Sequence, residues 1–178
     1  MSRNHWYVIT GGPSTGKTTL LAELARRGYR TVQEAARTVI DDALARGITP
    51  QELRRDEKRF QEDVAAMKAT TEASLDPQMV TFFDRGMHDT LAYMRYYSFD
   101  ISESIEQLMN ARCRAVFLLD PLPQYESDYA RTEDEQFIAA IQQLLHDAYA
   151  EYDMTPIHIP AVSVDERINL ILDHLKTE

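Results

Sequence analysis

The strongest structural signal in this 178-residue chain is the stretch Trp6-Tyr-Val-Ile-Thr-Gly11-Gly-Pro-Ser-Thr-Gly-Lys17-Thr-Thr19. The β-prone residues Trp6–Thr10 predict a strand, and the leucines at positions 20, 21 and 24 predict an amphipathic helix that begins near Lys17. Between them, Gly11–Thr18 matches the pattern G-x-x-x-x-G-K-[ST] at each fixed position. A strand that passes through such a loop into a helix is the arrangement that phosphate binding requires.

The chemistry of phosphate binding explains the spacing of this loop. Glycines let the backbone wrap closely around a phosphate, so several N–H groups and the helix N-terminus point at one anion. We expect the Lys17 ammonium to reach the β- and γ-phosphates and the Thr18 hydroxyl to hold Mg²⁺. The expected cofactors are therefore ATP, with GTP as the alternative, and Mg²⁺. The predicted nucleotide contacts in this stretch are Gly11, Gly12, Pro13, Ser14, Thr15, Gly16, Lys17, Thr18 and Thr19.

The rest of the chain alternates short apolar strands with amphipathic helices, which predicts an α/β domain with a parallel sheet covered by helices on both faces. In addition to the first strand, strands are predicted at 29–32, 79–83, 115–119 and 156–159. We expect one domain over residues 1–178, with a lid segment at about 121–133. In such a domain, the ligand binds at the carboxyl ends of the strands.

One predicted helix is unusually long and charged. The residues Thr49-Pro50-Gln51-Glu52 form the pattern of a capping box with proline at the first helical position. Apolar residues at positions 53, 60, 64 and 67 continue a helical spacing, so we expect a single helix over 50–75.

Composition limits the choice of partners. The formal net charge is −10, and an acidic surface repels nucleic acid and anionic lipid, so neither is expected as the main partner. The single cysteine, Cys113, allows no internal disulfide and favours a reducing compartment. No stretch approaches the ~20 apolar residues of a membrane span, and no signal-peptide pattern is present. We expect a cytoplasmic protein that binds a nucleotide and a small-molecule acceptor, and its oligomeric state stays open.

Asp84 ends the predicted third strand and is the candidate second ligand of Mg²⁺. It could instead accept a proton from an attacking hydroxyl, or simply cap the next helix. Arg85 follows at a position where hydrolysing ATPases with this loop usually carry a glutamate that polarises water. Arg85 is therefore a candidate contact for an acceptor or a phosphate, which favours transfer to a molecule over hydrolysis.

Four further residues are candidates for the chemistry. Glu34 follows the second predicted strand and could act as a base, although acids are also favoured at helix starts. Arg37, one turn later, and His88, near the Asp-Arg pair, are candidate substrate contacts, and packing explains His88 equally well. Arg131 is a basic residue in an acidic stretch and could stabilise transition-state charge from a lid, or pair with nearby acids.

Four segments carry a resemblance to a known group: Gly11–Thr19, Glu34-Ala-Ala-Arg37, Phe83-Asp84-Arg85-Gly86 with Asp89-Thr90-Leu91, and Tyr125 to Arg131-Thr132-Glu133-Asp134. Together they resemble the AAA_28-type P-loop family, which groups the ribosylnicotinamide-kinase domain of the NAD-synthesis regulator NadR with the Ttd14-type proteins. The resemblance covers nearly the whole chain. It implies a three-layer kinase-like P-loop fold with strand order 2-3-1-4-5, Mg-nucleotide binding and, in one branch, phosphorylation of a nucleoside hydroxyl.

The resemblance also implies roles for individual residues. Glu34 and Asp84 would form an acidic pair near the acceptor, and Arg131 would be the lid arginine. The loop after the fifth strand, with Pro160 and Val162, would lie against the base of the nucleotide.

The leading hypothesis is a Mg-ATP-dependent small-molecule kinase that transfers the γ-phosphoryl group to a nucleoside-like hydroxyl. The alternatives are a nucleotide-dependent regulatory module and a simple ATPase. The identity of the acceptor stays open at this point, as does the choice between Glu34 and Asp84 as the general base.

Overall fold

Five parallel strands lie at the centre of the molecule. The computed structural model describes residues 4–122 and 135–176. The strands are β1 (Trp6–Thr10), β2 (Arg30–Val32), β3 (Thr81–Asp84), β4 (Ala115–Leu119) and β5 (Ile157–Ile159). They form one sheet in the order β2-β3-β1-β4-β5, and each neighbouring pair is parallel. The order implied by the resemblance is therefore confirmed.

Helices cover both faces of this sheet. They are α1 (Lys17–Arg26), α2 (Ala35–Ala45), α3 (Pro50–Leu53), α4 (Glu57–Ala73), α5 (Met87–Tyr96), α6 (Glu103–Leu108), α7 (Glu135–Ala150) and α8 (Val164–Lys176). Helices α1 and α8 pack on one face, where residues such as Ile9 and Phe117 contact the leucines of α1. Helices α5 and α7 pack on the other face around Leu118. Among the described helices, none is long and apolar enough to cross a membrane.

The prediction of one helix over 50–75 is wrong. The capping box of Thr49 and Glu52 is present, with Thr49 Oγ1 accepting from the Glu52 N–H at 3.2 Å, but it opens only the short helix α3. The chain then leaves the helix at Arg54, and Asp56 caps a second helix by accepting from the Arg59 N–H at 3.0 Å. The Asp56 carboxylate satisfies a backbone N–H in the first turn, as N-cap residues do, so a new helix begins after Asp56.

The parallel arrangement brings the candidate residues to one edge of the sheet. The phosphate loop follows β1, Glu34 follows β2, and Asp84 is the last residue of β3. Asp120 and Pro160 follow β4 and β5. Because the strands are parallel, all these positions lie at the same carboxyl edge.

Candidate phosphoryl-transfer site

Glycine is required at two positions of the phosphate loop. Gly11 and Gly16 have φ angles of 145° and 84°, in the region that side chains rarely adopt. A Cβ atom at Gly11 would also lie 2.9 Å from the Leu119 carbonyl oxygen. The backbone therefore wraps tightly between β1 and the N-terminus of α1, as the motif predicts.

The Lys17 ammonium lies inside this loop. Its side chain is buried, and Nζ donates to the carbonyl oxygens of Gly11 (3.0 Å) and Gly12 (2.7 Å) and to Thr15 Oγ1 (3.2 Å). Burial and, to a smaller extent, the Arg85 charge lower the pKa of Lys17 to about 7, although nearby carboxylates oppose the shift. The cation is thus held where the β- and γ-phosphates are expected. Thr18 and Thr19 lie exposed in the first turn of α1.

Two side chains that the sequence patterns did not single out support the loop. Gln142 of α7 accepts from the Gly12 N–H and donates to the Leu119 carbonyl, each at 3.0 Å. Arg167 of α8 is 2% exposed and donates to Thr15 O (2.5 Å), Pro160 O (2.9 Å) and Asp120 O (3.1 Å). The sequence does contain a signal for Arg167. It lies on the apolar face of α8, one turn before the buried Ile171, where a cation is unusual.

Arg85 connects the ends of three strands. Its φ of 65° places it in the left-handed region, and its side chain is buried. Nε donates to Glu34 Oε1 at 2.8 Å, while Nη1 donates to Gly11 O and to Asp89 Oδ1, both at 3.1 Å. The guanidinium also lies 5.3 Å from the centre of the Tyr93 ring. Arg85 therefore joins the phosphate loop to two carboxylates.

Asp89 anchors this cluster from α5. It is 1% exposed, and in addition to Arg85 it accepts from Thr10 Oγ1 (2.6 Å), the Gly86 N–H (2.9 Å) and the Tyr149 hydroxyl (2.6 Å). Burial alone would raise the pKa of Asp89, but the charges of Arg85 and Lys68 and these hydrogen bonds lower it. Both carboxylate oxygens of Asp89 therefore accept hydrogen bonds. In the sequence, Asp89 stands out only as part of a segment that carries the family resemblance.

Asp84 has the properties of a metal ligand. Its Oδ1 atom is buried and has no hydrogen-bond partner among the described residues. Burial and, to a smaller extent, the neighbouring Glu34 raise the pKa of Asp84 to about 6, although the charges of Lys17 and Arg85 oppose the shift. A buried, unsatisfied carboxylate oxygen fits a hard cation, and Mg²⁺ typically takes few protein ligands beside phosphates and waters. The Asp84 carboxylate therefore fits a Mg²⁺ ligand, and the Thr18 hydroxyl stays its predicted partner.

A cavity of about 200 Å³ opens beside the phosphate loop. Pro13 of the loop lines it together with Glu34, Arg85 and Lys68. Its other walls carry aromatic rings and polar groups: Phe60, Tyr93, Tyr97, Phe137, Arg54, Gln61, Asp89 and Thr90. We call this space the acceptor cavity. Asp84 lines a neighbouring cavity of about 170 Å³, and Arg85 and Lys68 border both.

The structure does not bring every candidate to this cavity. His88 is buried on another side of α5, with Nε2 at 3.1 Å from Met109 O and its ring between Tyr149 and Tyr152. This position favours the packing alternative for His88, because its ring nitrogen is bonded in the core, and a contact with substrate stays a prediction. Arg37 is exposed on α2 and does not line the cavity.

The remaining candidates concern the nucleotide. Pro160 and Val162 are exposed in the loop after β5, which Arg167 ties to the phosphate loop, so their contact with a base stays a prediction. Arg131 lies outside the described residues, as does nearly all of the predicted lid at 121–133.

A sequence comparison decides the family. The profile of AAA_28, an AAA domain, matches residues 6–167. The chain belongs to the AAA_28 family. The comparison with curated proteins gives no match for this AAA_28 chain.

Solved structures share the fold of this AAA_28 chain. A deoxyadenosine kinase from M. mycoides with bound dCTP has a TM-score of 0.66 and 15% identity, over 97% of this chain and 100% of that one. The thymidylate kinase from Candida albicans has a TM-score of 0.64 and 14% identity, over 99% and 93%. The NadR protein in complex with NR has a TM-score of 0.60 and 24% identity, over 86% of this chain and 45% of that one. At these identities the similarity shows the fold.

Proposed function

We propose that this protein is a kinase that uses Mg²⁺·ATP to phosphorylate a small nucleoside-like acceptor in the cytoplasm. The observation that carries the proposal is the acceptor cavity, which Pro13 of the phosphate loop lines together with Glu34 and Arg85. A molecule in this cavity would lie beside the loop that binds the phosphates. Phosphoryl transfer depends mainly on such positioning and on stabilisation of charge.

The walls of the cavity support a ring-shaped acceptor. Phe60, Tyr93, Tyr97 and Phe137 offer aromatic surfaces on which a planar base can stack, while polar groups can fix its orientation. The structures of similar fold include a thymidylate kinase, a deoxyadenosine kinase and NadR in complex with NR, which agrees with a nucleoside-like acceptor.

In the proposed reaction, an acceptor oxygen forms a bond to the γ-phosphorus while the bond from that phosphorus to the β–γ bridging oxygen breaks, and ADP leaves. The N–H groups of the loop and Lys17 bind the phosphates. Mg²⁺ held by Thr18 and Asp84 would neutralise charge on the β- and γ-phosphates. Glu34 lines the acceptor cavity and would take the proton of an acceptor hydroxyl, whereas Asp84 lines the neighbouring cavity.

Three predicted contacts complete the proposal. Arg131 would approach the phosphates and stabilise transition-state charge, and the loop with Pro160 and Val162 would contact the base. Arg37, exposed on α2, would act only on the part of an acceptor that extends beyond the cavity.

The residue after Asp84 favours transfer over hydrolysis. The Arg85 guanidinium is bonded to Glu34 and Asp89, so this position offers a cation in place of a carboxylate that could polarise water. A simple ATPase is therefore the less favoured alternative.

A mass-spectrometric screen tests the proposal. The purified protein is incubated with Mg·ATP or Mg·GTP and a pooled library of nucleosides and metabolites. We expect one species to gain a phosphoryl group. Asp84→Asn should lower its rate of formation by about 10³-fold while nucleotide still binds, because well-placed charges contribute factors of this size in phosphoryl transfer.

Two further variants sharpen this screen. Glu34→Gln should also lose turnover if Glu34 takes the proton, and Asp100→Asn, at an exposed site away from the cavity, is the matched control. Free phosphate without any phosphorylated product would identify an ATPase. Nucleotide binding without turnover of any kind would identify the regulatory module.

A further inference from the structure

Lys68 of α4 is a buried cation in the wall of the acceptor cavity. Its side chain is only 7% exposed, and Nζ donates to Gly86 O at 2.6 Å and to Thr90 Oγ1 at 3.0 Å. Both partners are neutral oxygens, and an ammonium has three N–H groups to donate. Burial lowers the pKa of Lys68, which reflects the cost of keeping this charge away from water.

The carboxylates of the cavity are already occupied by other donors. Asp89 receives hydrogen bonds from Thr10, Gly86, Tyr149 and Arg85. Glu34 is bonded to Arg85 at 2.8 Å. Arg85 is therefore the cation that both carboxylates contact directly, whereas Asp89 and Glu34 act on Lys68 only through space.

The formal charge of the cavity lining is positive because Arg54 adds to two cations and two carboxylates that cancel. Its cations are Arg54, Lys68 and Arg85, and its carboxylates are Glu34 and Asp89, so the sum of formal charges is +1. The exposed Arg54 guanidinium lies 4.8 Å from the centre of the Phe60 ring at the same cavity. Glu72 lines the neighbouring cavity, where burial raises the pKa of its carboxyl group and the charge of Lys68 opposes this shift. This positive lining contrasts with a chain whose net charge is −10.

We propose that the acceptor carries an anionic group, a phosphate or a carboxylate, which binds beside Lys68 in the acceptor cavity. This inference rests on the proposed kinase function and narrows its substrate class. The anionic group would accept from the third N–H of Lys68 and would be attracted by Arg54. A neutral nucleoside would accept from the third N–H of Lys68 only through a neutral oxygen, which gives a weaker hydrogen bond than an anionic oxygen does. Lys68 is thus a specificity-determining residue.

Calorimetric titration tests this assignment. The protein, saturated with a non-hydrolysable ATP analogue and Mg²⁺, is titrated with nucleosides, with their 5′-monophosphates and with nucleosides that bear a carboxylate on the base. For the best base, we expect an anionic member to bind at least about tenfold more tightly than the neutral nucleoside, as charge-assisted hydrogen bonds allow. The two anionic series distinguish phosphate from carboxylate.

Variants at two cations assign the effect to the cavity. Lys68→Met should lower the affinity for the anionic ligand by about tenfold or more and leave that for the neutral nucleoside unchanged. Lys58→Met, on the same helix but outside the cavity lining, is the matched control and should bind like the wild type. If Lys68→Met does not fold, Arg54→Met carries the test, since Arg54 is exposed and its loss should reduce the preference several-fold.

The outcomes separate this inference from the kinase proposal. Equal affinities for neutral and anionic ligands, no binding by either, or a full anion preference in both variants would overturn it. Phosphorylation of a neutral nucleoside without an anion preference would support the kinase function and contradict the anionic acceptor. Anion preference without any phosphorylated product would support the site and count against the kinase.

Discussion

Two buried arginines hold opposite ends of the same phosphate loop. Arg85 donates to the Gly11 carbonyl at 3.1 Å, and Arg167 donates to the Thr15 carbonyl at 2.5 Å. Their other partners differ in kind. Arg85 is also bonded to two carboxylates, those of Glu34 and Asp89. The other partners of Arg167 are backbone carbonyls.

We infer from this difference that Arg85 mainly supports the acceptor side of the site, whereas Arg167 mainly supports the nucleotide side. Around Arg85 the guanidinium contacts two carboxylates directly, so the cluster mainly fixes the positions of these side chains. Among the described residues, the charge of Arg167 is compensated by carbonyl dipoles and, at longer range, by Asp120. Burial lowers the pKa of Arg167, yet an arginine keeps its proton in proteins. A retained positive charge behind the loop would favour the binding of phosphates.

The largest expected effect comes from removing Arg85. Arg85→Leu leaves the buried Asp89 and the partly buried Glu34 without their cation. Breaking a buried ion pair in this way typically costs about 3–5 kcal/mol, so the free energy of unfolding should fall by that amount. Urea denaturation at pH 7.5 measures it.

A surface arginine of α5, the helix that begins just after Arg85, provides the control for Arg85. Arg95 is ion-paired with Glu151 at 2.7 Å, but both side chains are partly exposed. Arg95→Leu should therefore cost no more than about 1 kcal/mol. If the free energy of unfolding fell by the same amount in both variants, the contacts of Arg85 with Glu34 and Asp89 would not be a major source of stability.

Removing Arg167 should act mainly on the nucleotide. Unit charges about 8 Å apart interact by roughly 2 kcal/mol at an effective dielectric constant of about 20. Arg167→Met should therefore weaken ATP binding by about 10–30-fold. The stability loss should be smaller than for Arg85→Leu, because no buried carboxylate is left unpaired. Titration with ATP and urea denaturation measure the two effects separately.

The test of Arg167 needs a control for a general loss of charge. Arg27 forms surface ion pairs with Glu23 and Asp165, so Arg27→Met removes one positive charge near α8 without touching the loop. It should bind ATP like the wild type. A lower free energy of unfolding in Arg167→Met with unchanged ATP affinity would show that Arg167 has only a structural role.

The two arginines also show how far the sequence could predict this molecule. Arg85 was found because it follows Asp84 at a strand end, and the carboxyl ends of parallel strands meet at one edge. Arg167 was missed because its contact with Thr15 joins residues 152 positions apart, which no local pattern encodes. The same limit applies to Lys68, whose cavity is assembled from several separate segments. The phosphate loop was predictable because its whole geometry is contained in one contiguous motif.

The smallest expected effect comes from His88, which lies just outside the Arg85 cluster. His88 precedes Asp89 on α5, but burial lowers its pKa to about 4, whereas the ordinary value is 6.5. The unfolded chain therefore binds a proton first as the pH falls through 6.5, and the folded protein resists until about 4. Stability contributed by neutral His88 is complete above pH 6.5 and is lost progressively between these values.

Urea denaturation at pH 7.5 and 5.5 tests the role of His88. Between these values the wild type should lose about 1 kcal/mol more than His88→Gln, as the two pKa values require. ATP binding by His88→Gln at pH 7.5 should match the wild type, because the ring packs against Tyr149 and Tyr152 away from the acceptor cavity. An equal pH dependence in both proteins would show that His88 is not held neutral in the core. A loss of ATP binding would instead extend the nucleotide-supporting region to this face of α5, and the division between the two arginines would no longer describe the site.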